Sequence, residues 1–351
     1  MNVERFDYDL PPRLIAQRPT ARRDHSRLLV LDRTTGALNH RRFDQLAELL
    51  RRGDLLVLND TRVVPARLVG RKATGGRVEL LLVERLEATT RGAVWRCWLK
   101  ASRRPERGSR LTFPEGVHAT VLDRAGADWR VGLECIEGPL DARLEQVGRP
   151  PLPPYIRRDD DEASSEDRRR YQTVFARRPG AIAAPTAGLH FTEALLAGLH
   201  DAGVEQAWLT LHVGLGTFQP VTAERVEEHR MHEERYELPD ETARAVASTR
   251  ERGGRVIAVG TTVVRTLEQC AEGDGRVRAA SGRSALFIYP GFRFRVVDAM
   301  ITNFHLPRST LLMLVSAFAG REPVLAAYRK AVAEEYRFYS YGDAMLISDA
   351  A

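Results

Sequence analysis

The sequence is poor in cysteine and in lysine. Its three cysteines, Cys97, Cys135 and Cys270, lie far apart in the 351-residue chain and form no Cys-x-x-Cys pair. This spacing argues against a disulfide framework and against a zinc site built from thiolates. Lysine is also scarce, so arginine supplies nearly all of the 53 basic residues. Arginine grips phosphate and stacks on bases, which suits RNA, although a codon-biased genome produces the same skew.

Long apolar runs are missing as well. The apolar segment STLLMLVSAFAG, residues 309–320, is too short to cross a bilayer. The segment MNVERFDYDLPP, residues 1–12, has acidic residues and prolines where a secretory signal needs an apolar core. We therefore expect a cytoplasmic protein without a membrane span.

The charge balance favours an anionic partner. The formal net charge is +6 and the sequence pI is about 9.5. Basic proteins attract nucleic acids and other polyanions, although this signal alone does not identify one.

The length of the chain and the change in its secondary-structure pattern along the sequence predict two domains. Short strands are expected at 28–33 and 54–59, with a helical pattern between them that places Phe43, Leu46, Leu49 and Leu50 on one face. From residue 62 onward, β-rich runs follow one another without room for crossover helices. The predicted fold class is α/β, with a small antiparallel β-barrel domain at 62–149 inserted in a mixed-sheet domain formed by 1–61 and 150–351.

The second half begins with a proline-rich and then charged segment, 149–172, which we expect to be a surface linker. After it, strands and helices alternate, as in an α/β sheet covered by helices. The segment SALFIYP, residues 284–290, is predicted to be one of these strands. Helices are predicted at 192–202, 240–252, 261–271, 309–319 and 323–337.

Three loops share one pattern, in which an apolar run meets a histidine and then breaks at Gly or Pro. The histidines are His190 in AAPTAGLHFT, His212 in LTLHVGLGTF and His305 in MITNFHLPRSTLLML. In α/β sheets such loops meet beyond the carboxyl ends of the strands, where ligands bind. We expect one site lined by these rings, although any single histidine can instead be a structural hydrogen-bonding group.

The segment VIAVGTTVVRTLE, residues 256–268, predicts a strand, a glycine and a helix that begins at Thr261 and Thr262. Free N–H groups at such a helix start can hold a phosphate or a carboxylate, although Thr is also an ordinary N-cap residue.

Two other segments allow alternative interpretations. His229 and His232 lie among acidic residues and could bind a metal ion or simply be solvated. Near the C-terminus, Arg337 lies among aromatic residues that could stack on unpaired bases or pack in a core: Tyr336, Phe338, Tyr339 and Tyr341.

Long motifs along the whole chain closely resemble one family, the S-adenosylmethionine:tRNA ribosyltransferase-isomerases of queuosine biosynthesis. The motifs are FDYDLPPRLIAQRP, NDTRVVPARL, PLPPYIRR, DRRRYQTVFARRPGAIAAPTAGLHFT, LTLHVGLGTFQPV, EEHRMHEERYELP, VIAVGTTVVRTLE, VVDAMITNFHLPRSTLLMLVSAFAG and YRFYSYGDAMLI. The resemblance implies that the ribosyl part of S-adenosylmethionine is transferred and isomerised onto tRNA carrying 7-aminomethyl-7-deazaguanine (preQ1) at the wobble position. Epoxyqueuosine, adenine and methionine are then the products. The family usually has Ser where Val263 stands.

This reaction needs groups that move protons and groups that hold two substrates. We expect His190, His212, His305 and Asp60 to be the catalytic residues. The tRNA is expected to contact Arg168, Arg169, Arg170, Arg177 and Arg178. S-adenosylmethionine or the deazaguanine base is expected to contact Arg62, Thr186, Gly188, Gly214, Gly216, Thr217, Gly260, Thr261, Thr262 and Arg265.

S-adenosylmethionine is consumed as a substrate, so no cofactor and no metal ion is expected. The partners are then S-adenosylmethionine and the anticodon region of a tRNA, and we expect a monomer. Two other classes stay open from the residues alone: a metal-dependent hydrolase built on the histidine loops, and a tRNA-binding module without enzymatic activity.

Overall fold

The computed structural model describes residues 1–89, 92–126, 128–158, 165–214 and 221–349. Within these ranges the α-helices are α1 Leu140–Val147, α2 Ser165–Arg170, α3 Glu193–Asp201, α4 Asp240–Glu251, α5 Thr261–Gln269, α6 Thr310–Ala319 and α7 Arg321–Ala333. The strands are β1 Arg27–Asp32, β2 Leu38–Arg42, β3 Leu55–Asn59, β4 Thr61–Val63, β5 Arg67–Lys72, β6 Arg77–Ala88, β7 Gly92–Ala101, β8 Arg110–Thr112, β9 Val117–Ala125, β10 Asp128–Cys135, β11 Arg178–Ala181, β12 Glu205–Leu211, β13 Glu234–Leu238, β14 Val256–Val259, β15 Ala280–Ser284, β16 Ala299–Asn303 and β17 Ala344–Ser348.

The chain divides into two compact units. The first comprises Met1–Arg62, Pro154–Arg157 and Arg170–Ala351, and the second comprises Val63–Pro153 and Arg158–Arg169.

A nine-stranded mixed sheet forms the centre of the first unit, in the order β15-β13-β12-β3-β14-β16-β17-β1-β2. The four strands β12, β3, β14 and β16 run parallel. Strands β13 and β17 pair antiparallel with the outer two of them, and β1 pairs parallel with β17. All five residues of β3 are buried, because apolar layers cover both faces of the sheet. Leu55 and Val57 contribute to one hydrophobic cluster, and Leu56 and Leu58 contribute to another. A continuous apolar run is the signature of such a central strand.

The second unit is a closed barrel of six antiparallel strands in the order β10-β7-β6-β5-β8-β9. Alternate residues of its strands enter the barrel core, as Val78, Leu80 and Leu82 of β6 do. The mixed α/β sheet and the antiparallel barrel confirm the predicted fold class.

The predicted helix after the first strand is a 3₁₀-helix, Phe43–Glu48. Its fully buried side chains, Phe43 and Leu46, are three residues apart. Side chains at this spacing eclipse one another in a 3₁₀-helix, so the short segment needs only the tighter turn.

The predicted strand 284–290 is wrong, because β15 ends at Ser284. Its partner β13 pairs only with residues 280–284. Beyond that point the Leu286 N–H donates to the Ser284 hydroxyl at 3.2 Å, and the Leu286 carbonyl accepts from Arg265 Nε at 3.0 Å. Side-chain hydrogen bonds of this kind compete with a strand ladder.

The segment 149–172 is not wholly exposed. Arg158 and Asp167 form a buried ion pair with an Nε to Oδ2 distance of 2.9 Å. Pro150, Pro151 and Pro153 are buried as well. Residues 159–164 lie outside the described ranges.

In the described residues no single helix is long and apolar enough to span a membrane; α6 and α7 meet that length and composition only together and are bent by 116°. All three cysteines are unpaired.

Candidate functional site

A cavity lies in the first unit, beyond the carboxyl ends of β14 and β16, where ligands collect in α/β sheets. Its empty volume is about 550 Å³ including its open mouth. Gly260, Thr261 and Thr262 line one side of this cavity, and Asn303 and His305 line another. We call it the strand-end cavity.

Backbone conformation explains the glycine in this cavity wall. Gly260 has a φ of 93°, which residues with a Cβ rarely adopt. Its N–H donates to the Ile301 carbonyl at 2.7 Å, which ties the start of α5 to β16. The first N–H groups of α5 have no acceptor within the helix and are available to a ligand. Asn59 Nδ2 lies 3.2 Å from Thr262 Oγ1 and thereby supports this helix start.

His305 is the only one of the three predicted histidines that lines the strand-end cavity, among the described residues. Its Nε2 lies 2.9 Å from Thr302 Oγ1. Its backbone is fixed by the hydroxyls of Tyr328, at 3.1 Å from its nitrogen, and of Tyr8, at 2.5 Å from its oxygen. Burial lowers the pKa of His305 to about 3, so the ring is neutral near pH 7.

His190 lies behind the cavity wall rather than in it. Its Nδ1 is 2.7 Å from Ser26 Oγ, its Nε2 is 3.1 Å from Asn303 Nδ2, and its ring stacks on Phe43. Burial lowers its pKa to about 3, with smaller contributions from Arg23 and Arg337. Both ring nitrogens already have partners, so the structure gives His190 the geometry of a buried hydrogen-bonding group.

His212 and Asp60 lie at a surface other than the strand-end cavity: His212 lines that surface, and Asp60 lies next to it. His212 Nδ1 is 2.8 Å from Thr61 Oγ1, and burial, followed by Arg235, lowers the pKa of the ring. The Asp60 carboxylate accepts from Thr210 Oγ1 at 2.6 Å and lies 3.9 Å from Arg178 Nε. The structure therefore does not bring the three histidines into one pocket.

His212 belongs to a groove on the first unit with an empty volume of about 1360 Å³ including open solvent. Four exposed arginines line this groove, with Glu237 as the single acidic residue of its lining among the described residues: Arg177, Arg178, Arg235 and Arg283. Arg178 Nη1 contacts Glu237 at 2.6 Å, and the Arg177 guanidinium lies 5.0 Å from the centre of the Trp208 ring. We call it the basic groove, because its charge suits a polyanion.

The cavity and the basic groove lie on opposite sides of the same strand ends. Val213 lines the cavity, whereas its neighbour His212 lines the groove. Asn59 likewise supports Thr262 at the cavity, whereas Asp60 contacts Arg178 at the groove. A small ligand and a polyanion can thus approach the same strand ends from two sides.

The remaining predicted substrate-binding residues are dispersed. Thr186 lines the strand-end cavity. Gly188 is buried against Thr173 and Phe175, where a Cβ would come within 2.8 Å of each side chain. Arg62 is exposed and is the last residue of the segment Met1–Arg62 of the first unit. Gly216 and Thr217 lie outside the described residues.

Gly214 and Arg265 are linked through a residue that the sequence did not reveal. The Gly214 N–H donates to Glu234 Oε1 at 2.9 Å, and Arg265 Nη1 forms an ion pair with Glu234 Oε2. Both side chains of the pair are 4% exposed. Through Glu234, Arg265 thus supports the backbone at Gly214, and it does not line the cavity.

The predicted tRNA-binding arginines differ in what they contact. Arg168 donates to the carbonyls of Glu145, Gln146 and Gly148 at the end of α1. Arg170 donates to the carbonyls of Thr20 and Ala21. Arg169 is exposed, and only Arg177 and Arg178 lie in the basic groove.

Sequence reasoning missed the residues that complete the cavity wall. Asn303, Tyr155 and Ser340 line it, as does Tyr339, which the sequence suggested only as a ring that stacks on bases or packs in a core. The polar Asn303 at the end of an apolar strand was a usable signal, whereas Tyr155 comes from the segment predicted to be a linker. Tyr339 has a φ of 75°, an unusual conformation for a residue with a side chain, and such residues cluster at binding sites.

The other candidates from the sequence find structural explanations. Tyr336, Phe338 and Tyr341 are buried, which corresponds to the core-packing interpretation, whereas Tyr339 is buried and also lines the strand-end cavity. The His229 ring packs edge-on against Phe287. Among the described residues no three His, Cys, Asp or Glu side chains are grouped so that they could hold a metal ion.

Comparisons with known proteins agree along the whole chain. The family model described as queuosine biosynthesis protein matches residues 3–347. S-adenosylmethionine:tRNA ribosyltransferase-isomerase of Anaeromyxobacter sp. is 58% identical over 351 residues, 100% of both chains. The protein of that name from Geotalea uraniireducens is 56% identical over 348 residues, 99% of this chain and 100% of the relative.

A solved structure is also similar. The crystal structure of S-adenosylmethionine tRNA ribosyltransferase from Thermotoga maritima is 41% identical, has a TM-score of 0.55, and matches over 98% of this chain and 99% of that chain. The family match spans nearly the full length of the chain and includes all the residues that line the strand-end cavity. The chain therefore belongs to the queuosine biosynthesis protein family.

Proposed function

We propose that this enzyme transfers and isomerises the ribosyl part of S-adenosylmethionine onto the preQ1 wobble base of tRNA. The products are epoxyqueuosine in the tRNA, adenine and methionine. Relatives that match over the full length are named for S-adenosylmethionine, tRNA and the ribosyltransferase-isomerase reaction, which supports this function over a hydrolase or a binding module.

One structural observation supports the assignment most directly. A largely apolar cavity and a basic groove meet at the residues after β12, where Val213 lines the cavity and His212 lines the groove. We assign S-adenosylmethionine to the strand-end cavity and the anticodon region of the tRNA to the basic groove. The two reacting groups then meet near His212 and Val213.

The chemistry assigns a role to His305. The positive sulfonium of S-adenosylmethionine acidifies the adjacent C5′ hydrogens, so a base at this carbon can begin the reaction. The neutral His305 ring can take that proton on Nδ1 while its Nε2–H donates to Thr302 Oγ1. Adenine must later leave with a proton, so the reaction needs a second proton transfer.

The tRNA side needs a different proton transfer. The aminomethyl group attacks only when it is neutral, because its lone pair forms the new bond. His212, whose lowered pKa keeps it neutral, can accept the proton that this group loses, and Asp60 can orient the groups around it. Arg177 and Arg178 are then placed to contact the tRNA backbone.

Further parts of the proposal concern the whole protein. We assign catalysis to the α/β domain, residues 1–61 and 150–351, and an accessory role to the inserted barrel, 62–149. We propose that the enzyme acts in the cytoplasm as a monomer and uses no resident cofactor, because S-adenosylmethionine is consumed.

Adenine release from S-adenosylmethionine tests the function. Release is expected with tRNA that carries preQ1 and not with unmodified tRNA, and digestion of the product tRNA should show a ribosyl-derived mass gain on the wobble base. Folded protein that binds the tRNA but yields neither adenine nor a mass gain would support the binding-module alternative.

The role of His305 is tested in the same assay. His305→Ala is expected to slow adenine release by about 100-fold or more, because general base catalysis contributes factors of that size. His200→Ala, which removes an exposed histidine on α3, is the matched control and should keep the normal rate. Equal rates for the two variants would remove His305 from the mechanism.

A further inference from the structure

The Asn303 side chain contains a buried hydrogen-bond acceptor without a partner. Asn303 is 2% exposed and lines the strand-end cavity. Its Oδ1 makes no hydrogen bond to any of the described residues. An unsatisfied buried polar atom is costly and indicates a group that a ligand satisfies.

The surroundings fix the orientation of this amide. Asn303 Nδ2 faces the Tyr339 carbonyl at 3.2 Å, the Asp343 carbonyl at 3.5 Å and His190 Nε2 at 3.1 Å. Reversing the amide would place its oxygen against two carbonyl oxygens. Nδ2 is therefore held by these three partners, and Oδ1 is left as a buried acceptor that still needs a donor.

His190 completes this arrangement. Its Nε2 accepts from Asn303, so its proton must lie on Nδ1, where it donates to Ser26 Oγ at 2.7 Å. His190 thus acts on the cavity through Asn303, as a positioning residue.

The rest of the cavity favours a neutral, flat ligand. Its lining is largely apolar and includes Tyr155 and Tyr339, and no Asp, Glu, Lys or Arg among the described residues lines it. A buried ammonium or carboxylate group of a ligand would need a side chain of opposite charge in the cavity wall. The donors on the other wall are the first N–H groups of α5, at Thr261 and Thr262.

We infer that the strand-end cavity holds the adenine ring of S-adenosylmethionine, with its 6-amino group donating to Asn303 Oδ1. The ring nitrogens of adenine are acceptors and match the N–H donors at the start of α5. This inference rests on the proposed function, because it assigns one part of the substrate to that site. The methionine part and the aminomethyl base both carry charges and fit this uncharged wall less well.

Substrate analogues test the inference on the unmodified enzyme. An S-adenosylmethionine analogue whose base is purine, without the 6-amino group, is expected to react with a kcat/KM about 10- to 100-fold lower, as is typical when a buried acceptor loses its donor. Asn303→Ala removes the acceptor, so this variant should use the two substrates within about 3-fold of each other. Equal use of both substrates by the unmodified enzyme would overturn the inference.

Asn39→Ala is the matched control, since Asn39 is exposed on the edge strand β2. This variant should retain the full preference for the amino-bearing substrate. Retention of the same preference by folded Asn303→Ala would also overturn the inference.

Binding of free bases gives a test that needs neither turnover nor a variant. Calorimetry with the unmodified enzyme should show adenine binding about 10-fold or more tighter than purine, and equal affinities would contradict the assignment. If the enzyme releases no adenine with tRNA that carries preQ1, the proposed function fails. The comparison of adenine with purine binding decides the adenine assignment independently of that result.

The positioning role of His190 has its own readout. His190→Ala is expected to reduce the preference for the amino-bearing substrate, because the Asn303 amide then loses one of its three partners and is held less firmly by the two carbonyls that remain. His190→Gln offers an acceptor to Asn303 Nδ2 and should restore the preference. An unchanged preference in folded His190→Ala would show that the amide is held without it.

Discussion

At the scale of single residues, His190 and His305 are buried in the folded protein as neutral rings. Burial holds the pKa of each at about 3, compared with an ordinary value near 6.5. Below pH 6.5 the unfolded chain binds a proton on each ring that the folded protein does not bind. The free energy of unfolding must therefore fall as the pH decreases from 6.5 towards 3.

This linkage predicts a measurable slope. Between pH 6.5 and 5.5 the free energy of unfolding should fall by about 1 kcal/mol for each of the two rings, and the slope should approach about 1.4 kcal/mol per pH unit below pH 5.5. Urea denaturation at several pH values measures it, and His190→Gln should remove the share of the slope that this ring contributes. His200→Gln, at an exposed position on α3, serves as the control and should leave the slope as it is. The same slope in all three proteins would show that His190 is protonated in the fold.

The residue scale also marks where sequence reasoning reached its limit. The pattern identified His305 and the glycine before α5 at the strand ends, because Gly and Pro breaks after apolar runs report local structure. It could not tell that Asn303 separates His190 from the cavity, since that contact joins residues 113 positions apart. It could not place His212 either, because neighbouring residues point to opposite sides of extended backbone.

At the scale of elements, sequence periodicity was informative where one element needs no distant partner. The apolar runs at 54–59 and at the start of 256–268 predicted strands, which are β3 and β14, and the β-rich runs from residue 62 onward predicted the antiparallel barrel. Strand β15 was misplaced because pairing with β13 determines where it ends. The strand propensity of one segment does not reveal where its partner strand begins and ends.

The junction of β14 and α5 depends on one backbone conformation. Gly260→Ala is expected to lower the free energy of unfolding by about 1 to 3 kcal/mol, because a Cβ strains a backbone at φ 93°. The added carbon would lie 3.5 Å from the Ala187 Cβ, an ordinary contact, so the effect should come from the backbone and not from a clash. Because the start of α5 also lines the cavity, KM for S-adenosylmethionine should rise.

Gly198→Ala provides the matched control in urea denaturation. Gly198 is exposed within α3, and nothing lies within 4 Å of the Cβ it would gain. Alanine is the better helix former, so this change should stabilise the protein by about 0.5 to 1 kcal/mol. Opposite signs for the two substitutions are expected; a neutral Gly260→Ala would mean that the junction can relax.

At the scale of the whole molecule, the question is whether net charge or its location binds tRNA. The formal net charge of +6 attracts any polyanion, whereas the basic groove concentrates Arg177, Arg178, Arg235 and Arg283 on one surface of the first unit. Affinity for RNA that depends on arginine–phosphate pairing falls with salt in proportion to the number of phosphates that are paired. The slope of log K against log salt therefore reports how many phosphates the protein neutralises.

Two double variants separate charge from location. Arg177→Gln with Arg235→Gln changes the groove, and Arg244→Gln with Arg252→Gln changes exposed positions at α4 and its end, so each lowers the formal net charge from +6 to +4. The groove variant should lower the salt slope by about 0.7 to 0.9 for each phosphate that an arginine no longer neutralises, whereas the α4 variant should keep the original slope. Filter binding of preQ1-tRNA across a salt series measures both. Equal slopes would mean that the tRNA responds to overall charge, and the groove would then have no specific role in binding it.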